Sequence, residues 1–162
     1  MKKIPVGHGK FALVDDEDFK ELSLLAWHID SYSHCKSEYA SSTGPKKSHL
    51  KMHRIIMKAE KGKIVDHING NGLDNRKENL RIATYAQNSY NSGRQKNNSS
   101  GFKGVSWENV RGSKNWRAQL TVNGKKVRIG RFKTPKEAAL AHDKKAKELH
   151  GAFAYLNFPH LV

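Results

Sequence analysis

The period of apolar and polar positions changes several times along this chain, and each change predicts an element. Phe11-Ala12-Leu13-Val14 reads as a short strand. Asp15 or Asp16 can then cap a helix, with Glu17 and Asp18 near its positive end and Phe19, Leu22 and Leu25 at helical spacing as its buried face. Trp27-His28-Ile29 predicts a further strand, and residues 32–50 predict strands joined through Ser41-Ser42-Thr43-Gly44-Pro45. Residues 51–58 carry a helical apolar side, with Gly62 soon after its end. Lys63-Ile64-Val65 is strand-like and runs into Asp66-His67. A loop of Asn, Gly and Asp follows, and the chain returns through Leu80-Arg81-Ile82-Ala83. Thr84-Tyr85-Ala86-Gln87 has the form of a capping box, so a helix starts there with Asn88 in its first turn.

Residues 89–101 have little to bury and predict a flexible polar tether after one or two helical turns. Alternation resumes at Val105-Ser106-Trp107 and continues through Trp116, Ala118, Leu120 and Val122, with Arg117, Gln119 and Thr121 on the other face. Asn123-Gly124 is the preferred pair for a tight type I′ hairpin, which sets Thr121 opposite Lys126 and Gln119 opposite Arg128. Val127 and Ile129 then join the apolar side. Thr134-Pro135-Lys136-Glu137 caps a last helix whose Ala138, Ala141, Ala146 and Leu149 form a small-residue face for the sheet, and Gly151 ends it.

Charge narrows the partners. Thirty Lys and Arg oppose fifteen Asp and Glu, a formal net charge of +15 with a pI near 10.0. Such an excess resists compaction and favours a polyanion, because each neutralised phosphate releases a condensed counterion. No membrane partner is expected, since no long apolar run or strongly amphipathic basic helix is present. Cys35 is the single cysteine, which excludes an internal disulfide and a Cys-based zinc site. The start of the chain lacks the apolar core of a signal peptide, so an intracellular setting is expected.

The chemistry concentrates in residues 63–92. Phosphodiester hydrolysis needs an activated water, stabilisation of added charge and help for the leaving oxygen. A neutral imidazole can take the proton, and a carboxylate with a carboxamide supplies hard oxygens suited to magnesium or manganese. Neighbouring side chains on a strand point to opposite faces, so Asp66 and His67 share a site only where the strand ends or bends. A structural hairpin is the plainer alternative. His53 can approach this region or simply pack at a junction, and Arg54 can meet a phosphate or face water. His28, His34 and His49 read as packing or surface residues.

Asp66-His67, Asn79-Leu80 and Asn88 resemble the HNH nuclease motif, in the subtype whose last histidine is an asparagine. That subtype occurs in phage and intron-encoded homing endonucleases, located in a bacterial or phage-infected host cytoplasm. The resemblance implies a ββα-metal fold, His67 as general base, Asp66 and Asn88 as ligands of one divalent cation, Mg2+ or Mn2+, and Asn79 as a structural brace. Asp74 and Asn75 fit a loop-shaping role.

A second resemblance covers residues 102–159. Phe102-Lys103-Gly104-Val105, Trp116-Arg117-Ala118, Ile129-Gly130-Arg131-Phe132, Ala141-His142-Asp143 and Asn157-Phe158-Pro159 are similar to the DNA-binding domain of plant ethylene-response factors. This implies a three-stranded antiparallel sheet in the major groove with one helix behind it. Lys103, Ser106, Arg117, Gln119, Thr121, Lys126 and Arg128 would face DNA. The plant domains carry mostly arginines and tryptophans where this chain has Lys103, Ser106, Glu108, Thr121, Lys126 and Arg128, so base preference does not transfer, and Glu108 would repel phosphate.

The chain is therefore expected to be α+β. A small segment (residues 1–50) precedes an HNH nuclease unit (51–92), a basic linker (93–101) and an ERF-like DNA-binding domain (102–162). The expected activity is metal-dependent endonucleolytic cleavage of double-stranded DNA, with no obligate protein partner evident. A DNA-binding regulator with a non-catalytic fold and a charge-driven nucleic-acid scaffold are the competing readings.

Overall fold

A computed structural model describes residues 1–31, 38–45, 48–110 and 113–161, and their contacts divide the chain after Thr84. In the first unit, β1 (Lys2–Pro5) pairs antiparallel with β2 (Phe11–Val14), setting Lys2 opposite Val14. The sequence pattern does not announce β1, because Pro5 interrupts a run too short to show alternation. The strand exists because a tight turn, closed by Val6 N–H on Lys10 O at 3.0 Å, returns the chain onto it. Ile4, Val6, Ala12 and Val14 are buried there.

α1 (Asp16–Leu22) buries Leu22, with Phe19 and Leu25 packed against the same core. Asp15 stands at its N-cap position without capping it. Its Oδ2 instead accepts from the Lys77 amide at 2.8 Å. A sheet in the order β3 (His28–Ser31), β4 (Glu38–Thr43), β5 (His49–Lys51) follows. Ser41, Ser42 and Thr43 were expected in a connection but lie in β4. Burial of two hydroxyls is tolerable because Ser42 Oγ donates to Ala26 O at 2.7 Å and Ser41 Oγ to Asp30 Oδ2 at 3.4 Å. His49 Nε2 lies 3.0 Å from the same Asp30 oxygen, and His28 is exposed. His34 and Cys35 fall outside the described residues. α2 (Met52–Ile56) leads to the hairpin of β6 (Ile64–His67) and β7 (Leu80–Ala83).

The second unit begins with α3 (Tyr85–Asn91) and contains a sheet in the order β10 (Lys125–Phe132), β9 (Ser113–Val122), β8 (Val105–Val110). The hairpin has the expected register, with Asn123 at φ 48 and Gly124 at φ 78. α4 (Pro135–His150) carries both halves of its capping box and ends at Gly151. Its Ala138, Ala139 and Ala146 are buried, whereas Leu149 is exposed. Small side chains bring helix and sheet close: a Cβ on Gly104 would sit 2.1 Å from His142 Cδ2 and 2.5 Å from Gln119 O. His142 and Asp143, both buried, bind each other and the tail, with Asn157 Nδ2 and the Phe158 amide donating to Asp143 at 2.9 and 2.8 Å.

Residues 98–100 are not a free tether. Asn98 Nδ2 donates to Phe102 O at 2.9 Å and Ser100 Oγ to Val105 O at 2.8 Å, so short polar side chains hold this segment on the start of β8. The division after Thr84 also groups α3 with the C-terminal sheet. Among the described residues, no helix is long and apolar enough to cross a membrane.

Candidate active site

β6 ends on two buried polar residues, Asp66 and His67, each 5% exposed. Strand alternation sends them to different neighbours. Asp66 lies opposite Arg81 in the β6–β7 ladder, and its Oδ2 accepts from Arg81 Nε at 2.8 Å and lies 2.7 Å from Nη2. Arg81 is absent from the expected site, although the hairpin register alone puts it opposite Asp66.

His67 faces Asn75, which is fully buried; its Oδ1 lies 3.3 Å from His67 Nε2. Asn75 Nδ2 points to Gly72 O at 3.5 Å, an orientation that leaves Oδ1 as the acceptor. An imidazole that donates to Asn75 Oδ1 carries its proton on Nε2. Burial holds His67 below its usual range, opposed by the Asn75 hydrogen bond and the nearby Asp66 and Asp74 charges. The ring is thus a neutral base at ordinary pH.

Two further rings pack on it. His53 meets His67 edge-on with centroids 5.1 Å apart, and Tyr39 lies 5.7 Å from His67 and 5.5 Å from His53. Burial lowers His53 to about 3, and its buried Nδ1 has no hydrogen-bond partner among the described residues. Tyr39 comes from β4, too distant in the chain for local pattern to reveal it. Gly72 permits this approach: a Cβ there would lie 2.6 Å from Tyr39 Cδ1 and 2.4 Å from Glu38 O. Arg54 turns away to bind the Lys63 and Glu60 carbonyls at 2.6 and 2.8 Å, tying the α2–β6 connection.

The loop between β6 and β7 is closed by its own polar groups. Asn79 Oδ1 accepts from the Asn69 amide at 3.0 Å, while its Nδ2 donates to Asp74 O at 2.8 Å. Arg76 chelates Asp74 through Nε and Nη2, both at 2.8 Å, and this guanidinium keeps the Asp74 carboxyl below its usual range. The Asn75 amide donates to Leu13 O at 2.8 Å, which pins the loop to β2. Asn79 therefore lies within the loop that shapes the His67 environment.

Asn88 lies on α3, in the second unit, and is half-buried. Among the described residues, no three His, Cys, Asp or Glu side chains gather into a metal cluster. The Asp66 carboxylate is a hard oxygen donor, and magnesium commonly takes few protein ligands, filling its shell with water and substrate phosphate.

The residues expected to face DNA separate into two groups. Lys103 Nζ donates to the Tyr90 and Ser92 carbonyls at 2.6 and 2.5 Å, and burial lowers its ammonium to about 8. Gln119 and Thr121 line a cleft of 380 Å³ with Tyr90, Lys103 and His150, where the Tyr90 and His150 rings stack at 3.8 Å. Lys126 is exposed. Arg117 reaches Ser106 Oγ at 3.3 Å and Glu108 Oε1 at 2.9 Å, and Arg128 reaches the same carboxylate oxygen at 3.0 Å. Arg131, not expected among these residues, donates to Glu108 Oε2 at 2.7 Å. A bulge between Arg128 and Gly130 shifts the register so that Arg131, not Gly130, stands opposite Arg117.

Residues 50–90 match the family model described as HNH endonuclease. Protein 3.8 of Escherichia phage T7 is 39% identical over 94 residues, covering 58% of this chain and 75% of that protein. An uncharacterized HNH endonuclease, L560, of Acanthamoeba polyphaga mimivirus is 35% identical over 157 residues, covering 93% of this chain and 76% of that protein. Over 48 residues, 28% of this chain and 15% of the relative, the chain is 46% identical to rice dehydration-responsive element-binding protein 2E. No solved structure matches.

Proposed function

The chain belongs to the HNH endonuclease family, and on that premise we propose that it is a divalent-metal-dependent endonuclease of double-stranded DNA with a homing role. The observation that carries this reading is a buried His67, kept below its usual range by burial and within hydrogen-bond distance of Asn75 through Nε2, beside the buried carboxylate of Asp66. His67 Nδ1 takes the proton of the attacking water, and Asn75 keeps the ring in the tautomer that can do so. Asp66 would hold the cation through its carboxylate, and Arg81 orients that carboxylate. A bound Mg2+ or Mn2+ supplies polarisation of the phosphate and stabilisation of the leaving oxygen. Asn79 keeps the loop closed so that His67 and Asn75 stay in register. The C-terminal sheet, similar to an ERF domain, binds the duplex in its major groove and the net charge of +15 draws DNA to the protein.

Supercoiled plasmid incubated with magnesium or manganese tests this. Nicking or linearisation should require the metal, stop in EDTA, and fall by about 10²- to 10⁴-fold in His67→Ala. Equal cleavage by wild type and His67→Ala overturns the assignment of His67. DNA binding without metal-dependent cleavage would instead support the regulator.

A further inference from the structure

The polar face of β8–β10 carries one carboxylate among many cations. Glu108 stands on that face with Ser106, opposite Asn115 in β9, and is 18% exposed. Its two oxygens accept from three arginines, one in β9 and two in β10: Arg117 at 2.9 Å, Arg128 at 3.0 Å and Arg131 at 2.7 Å. The bulge after Arg128 is what brings the third onto this side. The arginines hold the Glu108 carboxyl below its usual range, first among them Arg131.

The arrangement leaves the arginines unequally committed. Arg117 is also tied to Ser106 Oγ and is 27% exposed, whereas Arg131 is 39% and Arg128 55% exposed. A guanidinium has five donors in a planar fork, so an arginine gripped by Glu108 through one nitrogen retains others for a ligand. A free arginine on a basic surface swings to the nearest phosphate and carries no sequence information. One anchored by a carboxylate loses that freedom and can present a fixed pair of donors, the geometry that matches guanine O6 and N7. The other end of the face is already engaged, since Lys103 is bound to the Tyr90 and Ser92 carbonyls.

Resting on the reading that this sheet binds duplex DNA, we propose that Glu108 is a positioning residue for specificity. It holds Arg128 and Arg131 to read guanine in the major groove, with Arg117 as the fixed anchor, and it suppresses attachment to phosphate alone. Glu108 thus makes the face a reader of G·C pairs and not a general clamp.

Binding of the full chain in EDTA, where it does not cut, to matched short duplexes of G·C-rich and A·T-only sequence tests this. Wild type should prefer the G·C-rich duplex by about tenfold, and replacing guanine with 7-deazaguanine should remove most of that preference. Glu108→Gln should tighten binding to the A·T duplex by several-fold, erase the preference, and steepen the salt dependence by roughly one counterion. Glu108→Asp keeps the charge but is too short to span three arginines, so it should restore the wild-type salt slope without restoring the preference. A preference unchanged in both Glu108 variants overturns the proposal, as does a wild type without preference. Circular dichroism of each variant guards against simple unfolding. The double variant Arg128→Ala with Arg131→Ala tests the underlying reading: unchanged affinity for both duplexes means that the sheet is not the DNA face at all.

Discussion

Around β6 and β7 the first unit buries His53, Asp66, His67, Asp74, Asn75 and Asn79. Among the described residues of the second, the buried polar side chains are His142 and Asp143, set beside Ala118, Ala138, Ala139 and Ala146. Both units are small, and small units have little stability to spare. The first spends part of its stability on a polar interior, and the second keeps its charges on the sheet face and packs alanines behind it. Burial favours the neutral form of an imidazole, and each polar group taken inside with it needs a partner there. Charges left on the sheet face keep their solvent and their donors, over a core that does nothing but hold shape.

The largest effect expected on this contrast comes from filling the closest approach in the second unit. Gly104→Ala meets His142 and Gln119 O at a positive φ of 75, and should destabilise that unit by about 3 kcal/mol. Segment-resolved hydrogen exchange should show residues 102–158 losing protection while residues 1–84 keep theirs. If both lose protection together, the units are not independent in stability. Next, Asn75→Ala removes the partner of His67 Nε2 and should cost the first unit about 2 kcal/mol. Plasmid nicking should fall by about ten- to hundredfold as the imidazole loses its orientation, and DNA affinity should hold. Unchanged nicking would separate Asn75 from the chemistry.

Acid sharpens the contrast further. His53, lowered by burial from 6.5 to about 3, is neutral when folded and takes a proton when unfolded. A depressed folded-state pKa of a base gives stability that is complete above 6.5 and is lost as pH falls toward about 3, by at most about 1.4 kcal/mol per pH unit for one proton. Asp143 differs. Burial would raise its carboxyl, but hydrogen bonds from His142, Asn157 and Phe158 outweigh this, so its contribution persists above 3.8 and is lost only below. His150, lowered by burial, works in the His53 direction at the end of α4. Acidification from neutrality should therefore raise exchange more in residues 1–84, which hold both His53 and His67, than in the second unit, and His53→Phe should flatten that response. Equal loss in both units would count against the assignment. The smallest effect is expected for Thr134→Ala, which deletes the hydroxyl accepting from Glu137 N at 3.2 Å and should lower the thermal midpoint of the second unit by an amount corresponding to about 1 kcal/mol.

Much of the second unit was legible because its determinants are local. Asn123-Gly124 sets the hairpin register, and Thr134-Pro135 with Glu137 starts α4. The start of α3, also in the second unit, and β7 in the first were legible for the same reason, from a short apolar return and the residues that follow it. β1 was not, because it owes its existence to β2, and Ser41 to Thr43 were misplaced because distant acceptors make their burial tolerable.

By itself, then, the sequence determined the Asp66-His67 pair, the loop of Asx residues that follows it, and an alternating basic sheet face, since each depends on neighbours within a few residues. Only the tertiary structure decided what those side chains meet. Asp66 faces Arg81 and His67 faces Asn75, His53 and Tyr39 because β4, α2 and the β6–β7 loop converge from different parts of the chain. Arg131 joins Arg128 and Arg117 on Glu108 because one bulge reverses the parity of β10. Alternation in sequence gives a side chain a face, but a register shift or a distant partner decides which face and against what.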